Sequence, residues 1–457
     1  MLPRRLLTRA KGGQGTAADE CAKPRPPSAV PSEPAIGDHP SCTVTAPRSR
    51  ARHRALLVVM RGSGQALEFL GFLILAHRLG ASDFGQLSVA FLLCRYGGLI
   101  GDWGASFRGV RDVAAGSEPA VIASLARRRT VVSSALTAFF VLGALSTGQP
   151  WLALVGSALL ARGLNRDWLA LGSGRVARAG VPAVVQGLSL ACTAPLARSL
   201  PEACAVVSGA YVLGLAMSLT LNPKPGEGMR RGSVPVDGWL LIANLADQVT
   251  SSADTLLLAS LRSTREAGIY AAIYRIPNAW VNLIGLTALG LLPETSRRLR
   301  HGHGDLRAMR RHASRTGVLA GLLVLASVPP SLLIVPSLFG NEYLPGRPAL
   351  TILLVATAVN AVAAPLHPIY LALGNDRRQA SASVVAAMTS FVCNLALVPL
   401  FGMVAAASTT LVAEVILLIA YRIGVRSAEG VAACTTKGSG DATGSDHLAA
   451  PKGARAR

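Results

Sequence analysis

Apolar stretches of about 20 residues recur through most of this sequence, and short segments rich in arginine separate them. A helix needs about 20 apolar residues to cross a hydrocarbon core about 30 Å thick, because each residue adds about 1.5 Å to its length. The pattern predicts an all-α polytopic membrane protein with about 12 transmembrane helices. The predicted spans are 56–77, 84–107, 130–147, 151–170, 179–197, 203–221, 238–261, 269–292, 316–338, 349–373, 379–399 and 403–423.

The charge balance supports this class of protein. Only 15% of the residues are charged, against about 25% in a typical soluble protein, yet Lys and Arg number 45 and Asp and Glu only 24. A nucleic-acid-binding protein would be rich in charge, so nucleic acid is excluded as a partner. A membrane protein with arginine-rich cytoplasmic loops satisfies both observations.

The distribution of the basic residues predicts the orientation. With a cytoplasmic N-terminus, 37 of the 45 Lys and Arg fall on the cytoplasmic side, in a count that assigns Arg129 and Arg162 to cytoplasmic loops. Three others, Arg61, Arg95 and Arg275, remain inside the spans. The positive-inside rule then predicts a multi-pass protein of the plasma (inner) membrane with both termini cytoplasmic. The basic run at 297–315 is expected to attract anionic membrane lipids, although topology anchoring alone would explain it.

The chain divides into five predicted regions. Residues 1–55 form a basic, Pro-rich tail and residues 425–457 a second tail, both expected to be disordered and cytoplasmic. A linker at 222–237 separates two six-helix halves, 56–221 and 238–424, which are expected to surround a central cavity. The segments Leu79–Gly85 and Leu261–Gly268 are similar and leave the first helix of each half, which indicates an internal repeat.

Catalytic and cofactor motifs are absent from the sequence. The seven Cys are widely spaced without a CxxC pair, so they predict neither a disulfide framework nor a zinc site. There is no Walker loop, no metal-ligand cluster and no nucleophile–base arrangement. The chain is therefore predicted not to be an enzyme and to need no cofactor or metal.

Polar side chains form two stripes in the seventh and eighth spans. Charged groups in a membrane normally face the interior of a bundle, because exposing them to lipid is costly. The helical spacing places each stripe on one helix face and suggests a wet cavity between the halves. The alternative is that Arg275 only forms an ion pair with Asp247 or Asp254. The stripes consist of Asn244, Asp247, Ser251 and Asp254, and of Tyr270, Tyr274, Asn278 and Asn282, with Arg275 adjacent.

The first two spans carry charged pairs of their own. Arg61 and Glu68 are seven residues apart on the first span and share a face, as do Arg95 and Asp102 on the second. Arginine offers permanently charged donors in a fork that suits a pyrophosphate. Arg95 and Arg275 are therefore the leading candidates for substrate binding. Arg61 either joins them or reaches the membrane interface with its long side chain.

Dispersed residues resemble a known family over about 55–424. The sequence is similar to the polysaccharide-export flippases of the multidrug/oligosaccharidyl-lipid/polysaccharide exporter superfamily. The resemblance rests on Arg61–Gly64, Leu79–Gly85, Asp102–Gly104 with Arg111, Asp254, Ala267–Tyr270, Tyr274–Arg275 with Pro293, Gly340–Tyr343, Pro399–Gly402 and Ala405–Ala407.

The resemblance implies a function and a site. Such flippases move polyprenyl-pyrophosphate-linked oligosaccharides across the plasma membrane for cell-surface polysaccharide or lipopolysaccharide biosynthesis. Related lipid II flippases have cavity arginines on helices 1, 2 and 8, and Arg95 and Arg275 match the last two by helix. The expected substrate site is Arg95, Arg275, Arg61, Tyr274, Asn278 and Asn282, and the candidates for ion coupling are Asp247, Asp254, Asn244, Ser251 and Glu68.

The resemblance also implies partners, and the sequence leaves rival functions open. The implied partners are the lipid-linked oligosaccharide, anionic membrane lipids and a polysaccharide polymerase or glycosyltransferases. One rival is a drug/cation antiporter of the same superfamily. A second is a membrane-embedded glycosyltransferase or polymerase, although no long outer loop is predicted, and a third is a scaffold that transports nothing.

Overall fold

A computed structural model describes residues 47–102, 106, 109–110, 113, 119–222, 238–285, 306–373 and 376–441. The parts of the predicted regions at 1–46, 223–237, 286–305 and 442–457 lie outside the described residues. The regular structure within the described ranges is entirely helical. The α-helices are α1 (Pro47–Asp102), α2 (Pro119–Ser146), α3 (Trp151–Leu164), α4 (Asp167–Gly172), α5 (Val176–Thr193), α6 (Leu200–Leu221), α7 (Gly238–Leu261), α8 (Thr264–Ile273), α9 (Leu306–Ala326), α10 (Val328–Phe339), α11 (Arg347–Ala363), α12 (His367–Ala372), α13 (Asp376–Phe401) and α14 (Met403–Asp441).

Shorter helical segments connect some of these elements. Two 3-10 helices, Ala194–Leu196 and Asn341–Gly346, precede α6 and α11. Residues 275–285 are also helical and follow directly on α8. Ser263 begins α8 as its N-cap and accepts a hydrogen bond from the Glu266 backbone N–H at 3.1 Å, which is half of a capping box.

The helices confirm the prediction of an all-α, multi-pass membrane protein. Seven of the described helices are long and apolar enough to span a membrane, and an eighth span results if the bent pair α9 and α10 counts as one. α1 covers two predicted spans, because Gly80 at φ 72° interrupts its 56 residues. The other predicted spans lie on shorter or more polar helices. α3 has 14 residues, and α7 carries Asp247 and Asp254.

Two glycines at corresponding places of the predicted repeat pack against each other's backbone. A Cβ atom on Gly85 would collide with the carbonyl oxygen of Thr264, and a Cβ on Gly268 would collide with that of Ala81. Each glycine thus permits the approach of the segment that carries the other one. This reciprocal contact joins the second half of α1 to α8.

Two tyrosines add hydrogen bonds between the same parts of the chain. The Tyr343 hydroxyl donates to the Ala76 carbonyl oxygen at 2.9 Å, and the Tyr96 hydroxyl donates to the Gln248 carbonyl oxygen at 3.2 Å. Tyr343 is fully buried. The N-terminal and C-terminal parts of the bundle are therefore in contact near the Gly85 end and again further along α7.

The last helix continues well beyond residue 425, where a tail was predicted. Val425 is buried, and Glu429 forms an ion pair with Arg310 of α9 at 2.7 Å. These contacts hold the end of α14 against the start of α9. At the other end, α1 begins at Pro47, ahead of the predicted boundary at residue 55.

Candidate functional site

Arg275 lies at the start of the helical residues 275–285, next to Tyr274, the C-cap of α8. Its guanidinium carbon is 3.7 Å from the centroid of the Phe72 ring and 5.5 Å from that of Phe84. Both rings attract a cation but leave its charge uncompensated. Its Nε is buried and has no hydrogen-bond partner.

The ion pair that the sequence left open for Arg275 is absent. In the part of the chain that the structure describes, no carboxylate lies within ion-pair distance of Arg275. Asp254 instead bonds to hydroxyl and amide groups. Arg275 therefore keeps donor capacity that the protein itself does not use.

Arg95 and Glu68 lie in the same region. The Arg95 side chain is exposed, and it interacts electrostatically with Glu68, Tyr211 and Tyr274. Glu68 is also the carboxylate that acts on Arg275. Glu68 was predicted as an ion-coupling residue, but the structure places it among arginines, which would repel a coupling cation.

The structure corrects the predicted position of Arg162. It was assigned to a cytoplasmic loop, yet it lies in α3, where its Nη2 donates to the Tyr211 hydroxyl at 2.9 Å. Tyr211 is at the middle of α6, which spans Leu200–Leu221. Arg162 thus lies at the depth of the middle of α6 within the bundle, and it interacts electrostatically with Arg95. Arg95, Arg162 and Arg275 are called the arginine cluster below.

Glycines of the second span explain how Arg162 reaches this depth. A Cβ on Gly97 would lie 2.7 Å from Leu159 Cδ1, and one on Gly98 would lie 3.4 Å from Arg162 Cβ. The missing side chains let α3 pack directly on α1. Small residues commonly allow such close helix approach in membranes, and here they bring Arg162 towards Arg95.

Arg61 lies in a different environment. The charged group that acts on Arg61 is Asp167, at the start of α4. Asp167 accepts hydrogen bonds from Asn165 Nδ2 at 2.9 Å and Ser218 Oγ at 2.8 Å. Among the described residues, Arg61 is not one of the groups that act electrostatically on Arg95, Arg162 or Arg275.

Arg129 belongs to a neighbouring network and gives a second correction to the loop assignments. Its Nε is 2.9 Å from Asp102 Oδ1, and its Nη1 donates to the Asn165 carbonyl oxygen at 3.0 Å. Its guanidinium lies 5.9 Å from the Trp168 ring centroid. Arg129 is 5% exposed, so it is a packed residue of α2 and not part of a loop.

Asp254 is the most enclosed of the predicted ion-coupling residues, at 1% exposure. Its carboxylate accepts from the Tyr270 hydroxyl at 2.5 Å, the Thr255 backbone N–H at 2.7 Å and the Thr410 hydroxyl at 3.3 Å. These donors are neutral, and the described residues supply no cation. A buried carboxylate in this setting must take up a proton or a cation to be neutralised.

Two further acids accompany Asp254. Glu414 accepts from Asn360 Nδ2 at 2.9 Å and interacts electrostatically with the exposed Asp247. Tyr274 interacts electrostatically with both Asp254 and Glu414. Asp247, Asp254 and Glu414 are called the acidic cluster below, and in the described residues it contains no arginine or lysine.

The other predicted site residues are placed as follows. The Ser251 hydroxyl donates to the Gln248 carbonyl oxygen of its own helix at 3.2 Å, while Asn244, Asn278 and Asn282 are half-buried. Tyr274 lies between the clusters, since it interacts electrostatically with Arg95 as well as with the acids. No group of three potential ligands for a metal occurs among the described residues.

Sequence reasoning missed Tyr211, Thr410 and the position of Arg162. Tyr211 and Thr410 lie in apolar stretches and carry no recognisable motif. Arg162 falls near the end of a predicted span, where a linear count cannot tell depth. Arg162 differs from an ordinary loop arginine only in the small and apolar residues that surround it.

Comparison with solved structures identifies the fold. The lipid II flippase MurJ in an inward closed conformation matches with TM-score 0.66 at 10% identity, over 81% of this chain and 87% of that chain. An inward-facing multidrug resistance MATE family transporter of the MOP superfamily matches with TM-score 0.58 at 12% identity, over 81% and 98%. A MOP superfamily transporter from Pyrococcus furiosus, whose binding pocket is described as having reverse polarity, matches with TM-score 0.58 at 12% identity, over 83% and 96%.

These similarities show that the chain shares its fold with these proteins. No protein-family model matches the sequence, and neither does any curated protein sequence. The three solved structures named above are described as a flippase and two transporters.

Proposed function

We propose that the protein is a flippase that moves a polyprenyl-pyrophosphate-linked oligosaccharide from the cytoplasmic to the outer leaflet of the plasma membrane. It would act by alternating access, with both termini in the cytoplasm, in cell-surface polysaccharide biosynthesis. A polymerase or glycosyltransferases would supply and use the substrate, and anionic lipids would contact the cytoplasmic arginines.

The arginine cluster carries this proposal. Three permanently charged guanidiniums share one carboxylate, Glu68, so the site has two more positive than negative charges. A pyrophosphate diester carries about two negative charges, and arginine forks bind such oxyanions with strong charge-assisted hydrogen bonds. The buried Nε of Arg275 is a donor without a hydrogen-bond partner in the described residues, which is an exception to the usual pairing of buried polar groups.

Substrate contacts beyond the headgroup fall to the neighbouring polar side chains. Tyr274, Asn278 and Asn282 lie next to Arg275 along the chain and could bind sugar hydroxyls. Arg61 interacts electrostatically with Asp167 instead, so we assign it a supporting role in the N-terminal helices rather than contact with the headgroup.

The acidic cluster is proposed to couple transport to an ion gradient. Asp254 is the strongest candidate, because its neutral donors hold the carboxylate in place without neutralising it. Asp247 is exposed and electrostatically linked to Glu414, which suits entry of a proton or cation. Asn244 and Ser251 lie on the same helix as supporting polar groups.

The same cluster favours a second candidate, a drug/cation antiporter. A cationic substrate would be attracted by Asp247, Asp254 and Glu414 and repelled by the arginine cluster. The two functions therefore predict opposite substrate charges for one protein.

Translocation in vesicles tests the proposal. Purified protein is reconstituted, and the transfer of a fluorescent polyprenyl-pyrophosphate oligosaccharide and of a cationic dye is measured side by side. Arg95→Gln with Arg275→Gln is expected to reduce lipid transfer at least about 100-fold, since each charged hydrogen bond contributes about 1.5–3 kcal/mol. Exposed Arg78→Gln is the control. Unchanged lipid transfer in the double variant would contradict the substrate-binding role of the two arginines, and transfer of the dye alone would contradict the flippase proposal.

A further inference from the structure

A chain of hydrogen bonds runs from Arg162 to Glu68 through a tyrosine. Arg162 Nη2 donates to the Tyr211 hydroxyl at 2.9 Å, and that hydroxyl donates to Glu68 Oε1 at 3.0 Å. The tyrosine ring is held in place, because it stacks on Phe91 with centroids 6.0 Å apart and Arg162 lies 5.0 Å from its centroid. Three helices, α1, α3 and α6, supply these residues.

Glu68 makes no ion pair despite its surroundings. It acts electrostatically on Arg95, Arg162 and Arg275. Within the described ranges, however, no arginine nitrogen lies within 4.0 Å of its carboxylate. Its described bond is the one from Tyr211. Because Arg162 donates to the same hydroxyl, it polarises the O–H group towards Glu68 and strengthens that bond.

A free Glu68 would compete with any anionic ligand. A carboxylate that swung onto Arg95 or Arg275 would form the bidentate pair that a phosphate oxygen otherwise forms. The hydrogen bond to Tyr211 opposes this movement, and among the described residues neither guanidinium has a carboxylate within ion-pair distance.

We propose that Arg162 and Tyr211 are positioning residues that hold Glu68 away from Arg95 and Arg275, so that these two arginines stay available to a pyrophosphate. Arg162 does not contact the ligand in this arrangement. Its positive charge is balanced by Glu68. The two positive charges that remain, on Arg95 and Arg275, match the two negative charges of a pyrophosphate diester. The identity of the lipid ligand rests on the proposed function, but the role of the relay from Arg162 through Tyr211 to Glu68 applies to any pyrophosphate group.

Binding to the protein in nanodiscs tests the relay. The probes are a polyprenyl-pyrophosphate oligosaccharide and inorganic pyrophosphate. Inorganic phosphate, a mixture of the monoanion and the dianion, is measured for comparison with them. Arg162→Gln and Tyr211→Phe are each expected to weaken binding of both pyrophosphate probes about 10- to 100-fold, the loss for one displaced charge-assisted contact. Tyr421→Phe on α14 is the control for loss of a tyrosine hydroxyl, because Tyr421 is not among the described groups that act on Arg95, Arg162 or Arg275.

Adding Glu68→Gln distinguishes positioning from direct contact. If Glu68 is the competitor, the double variants Arg162→Gln/Glu68→Gln and Tyr211→Phe/Glu68→Gln regain affinity to within about threefold of wild type. A purely structural defect would not be rescued by a second substitution. Failure of rescue, or unchanged binding in Arg162→Gln, overturns the relay.

The two probes separate this inference from the proposed function. Binding of inorganic pyrophosphate with rescue, but no binding of the lipid, would contradict the flippase proposal and support the relay. Binding of the lipid without rescue would support the flippase and reject the relay.

Discussion

The arginine cluster and the acidic cluster hold buried charge in different ways. Arg275 packs on aromatic rings and Arg162 on a tyrosine, so the charge of the cluster is tolerated but not neutralised. Asp254 is surrounded by hydroxyl and amide donors, and it too lacks a counter-ion in the described residues. Arginine cannot lose its proton in a protein, whereas a carboxylate can be neutralised by a proton or a cation.

Because only the acidic cluster can be neutralised by a proton or a small cation, the two clusters suit different ligands. The permanent positive charge of the arginine cluster can be compensated only by an anion, which suits a substrate that arrives with its own negative charge. The acidic cluster can be compensated by a small ion, which suits a coupling step. Tyr274 interacts with both clusters and lies where the two could influence each other.

The largest effect is expected for Asp254→Ala. The substitution leaves the Tyr270 hydroxyl as a buried donor without an acceptor in the described residues, at about 1–3 kcal/mol, and it also removes the bonds from the Thr255 N–H and from Thr410, which keeps the Ala406 carbonyl oxygen as an acceptor. We expect a loss of about 3–5 kcal/mol in stability, measured by thermal unfolding in detergent. Asp254→Asn keeps one acceptor oxygen and should fold but lose ion-gradient dependence in vesicles. A fully gradient-dependent Asp254→Asn would remove Asp254 from the coupling role.

A somewhat smaller effect is expected where the two parts of the bundle meet. Gly268→Ala places a Cβ against the Ala81 carbonyl oxygen, and such overpacking costs about 1–3 kcal/mol. Transport should fall about tenfold or more, because the contact between α8 and α1 can no longer close. Gly143→Ala on α2 is the matched control, since a Cβ at that glycine would meet no neighbouring atom within 4 Å. Normal transport by Gly268→Ala would show that this contact need not close.

Arg61→Gln tests whether the arginine cluster is specific. Because Arg61 faces Asp167, we expect the affinity for the pyrophosphate lipid to change by less than about threefold, while Arg275→Gln loses about 10- to 100-fold. Both affinities are measured on the same nanodisc preparation. Equal losses in the two variants would return Arg61 to the substrate site.

The smallest effect is expected for Tyr274→Phe. The ring stays against Tyr270, with centroids 5.9 Å apart, so thermal stability should change by less than about 1 kcal/mol. If the Tyr274 hydroxyl links the clusters, the ion dependence of transport weakens while headgroup affinity stays within about twofold. A change in affinity alone would instead place the hydroxyl in the substrate site.

The fold followed from the sequence to a large extent. Apolar stretches of membrane-spanning length predict helices because the lipid requires every backbone hydrogen bond to be satisfied within the segment. The same argument marked Arg95, Arg275, Asp247 and Asp254 as residues that need a polar environment. The matching segments around Gly85 and Gly268 indicated a repeat, and the structure shows these two glycines in contact.

Only the tertiary structure decided which of these charges meet. Arg61 and Glu68 share a helix face, yet Arg61 faces Asp167 while Glu68 bonds to Tyr211. The sequence alone assigned Arg162 to a loop. In the structure, Gly97 and Gly98 let α3 pack on α1, and this packing places Arg162 inside the bundle. Helix periodicity determines the face on which a side chain lies, because it depends on neighbours along the chain. The partner across that face depends on how helices distant in sequence pack, and that is decided only when the bundle forms.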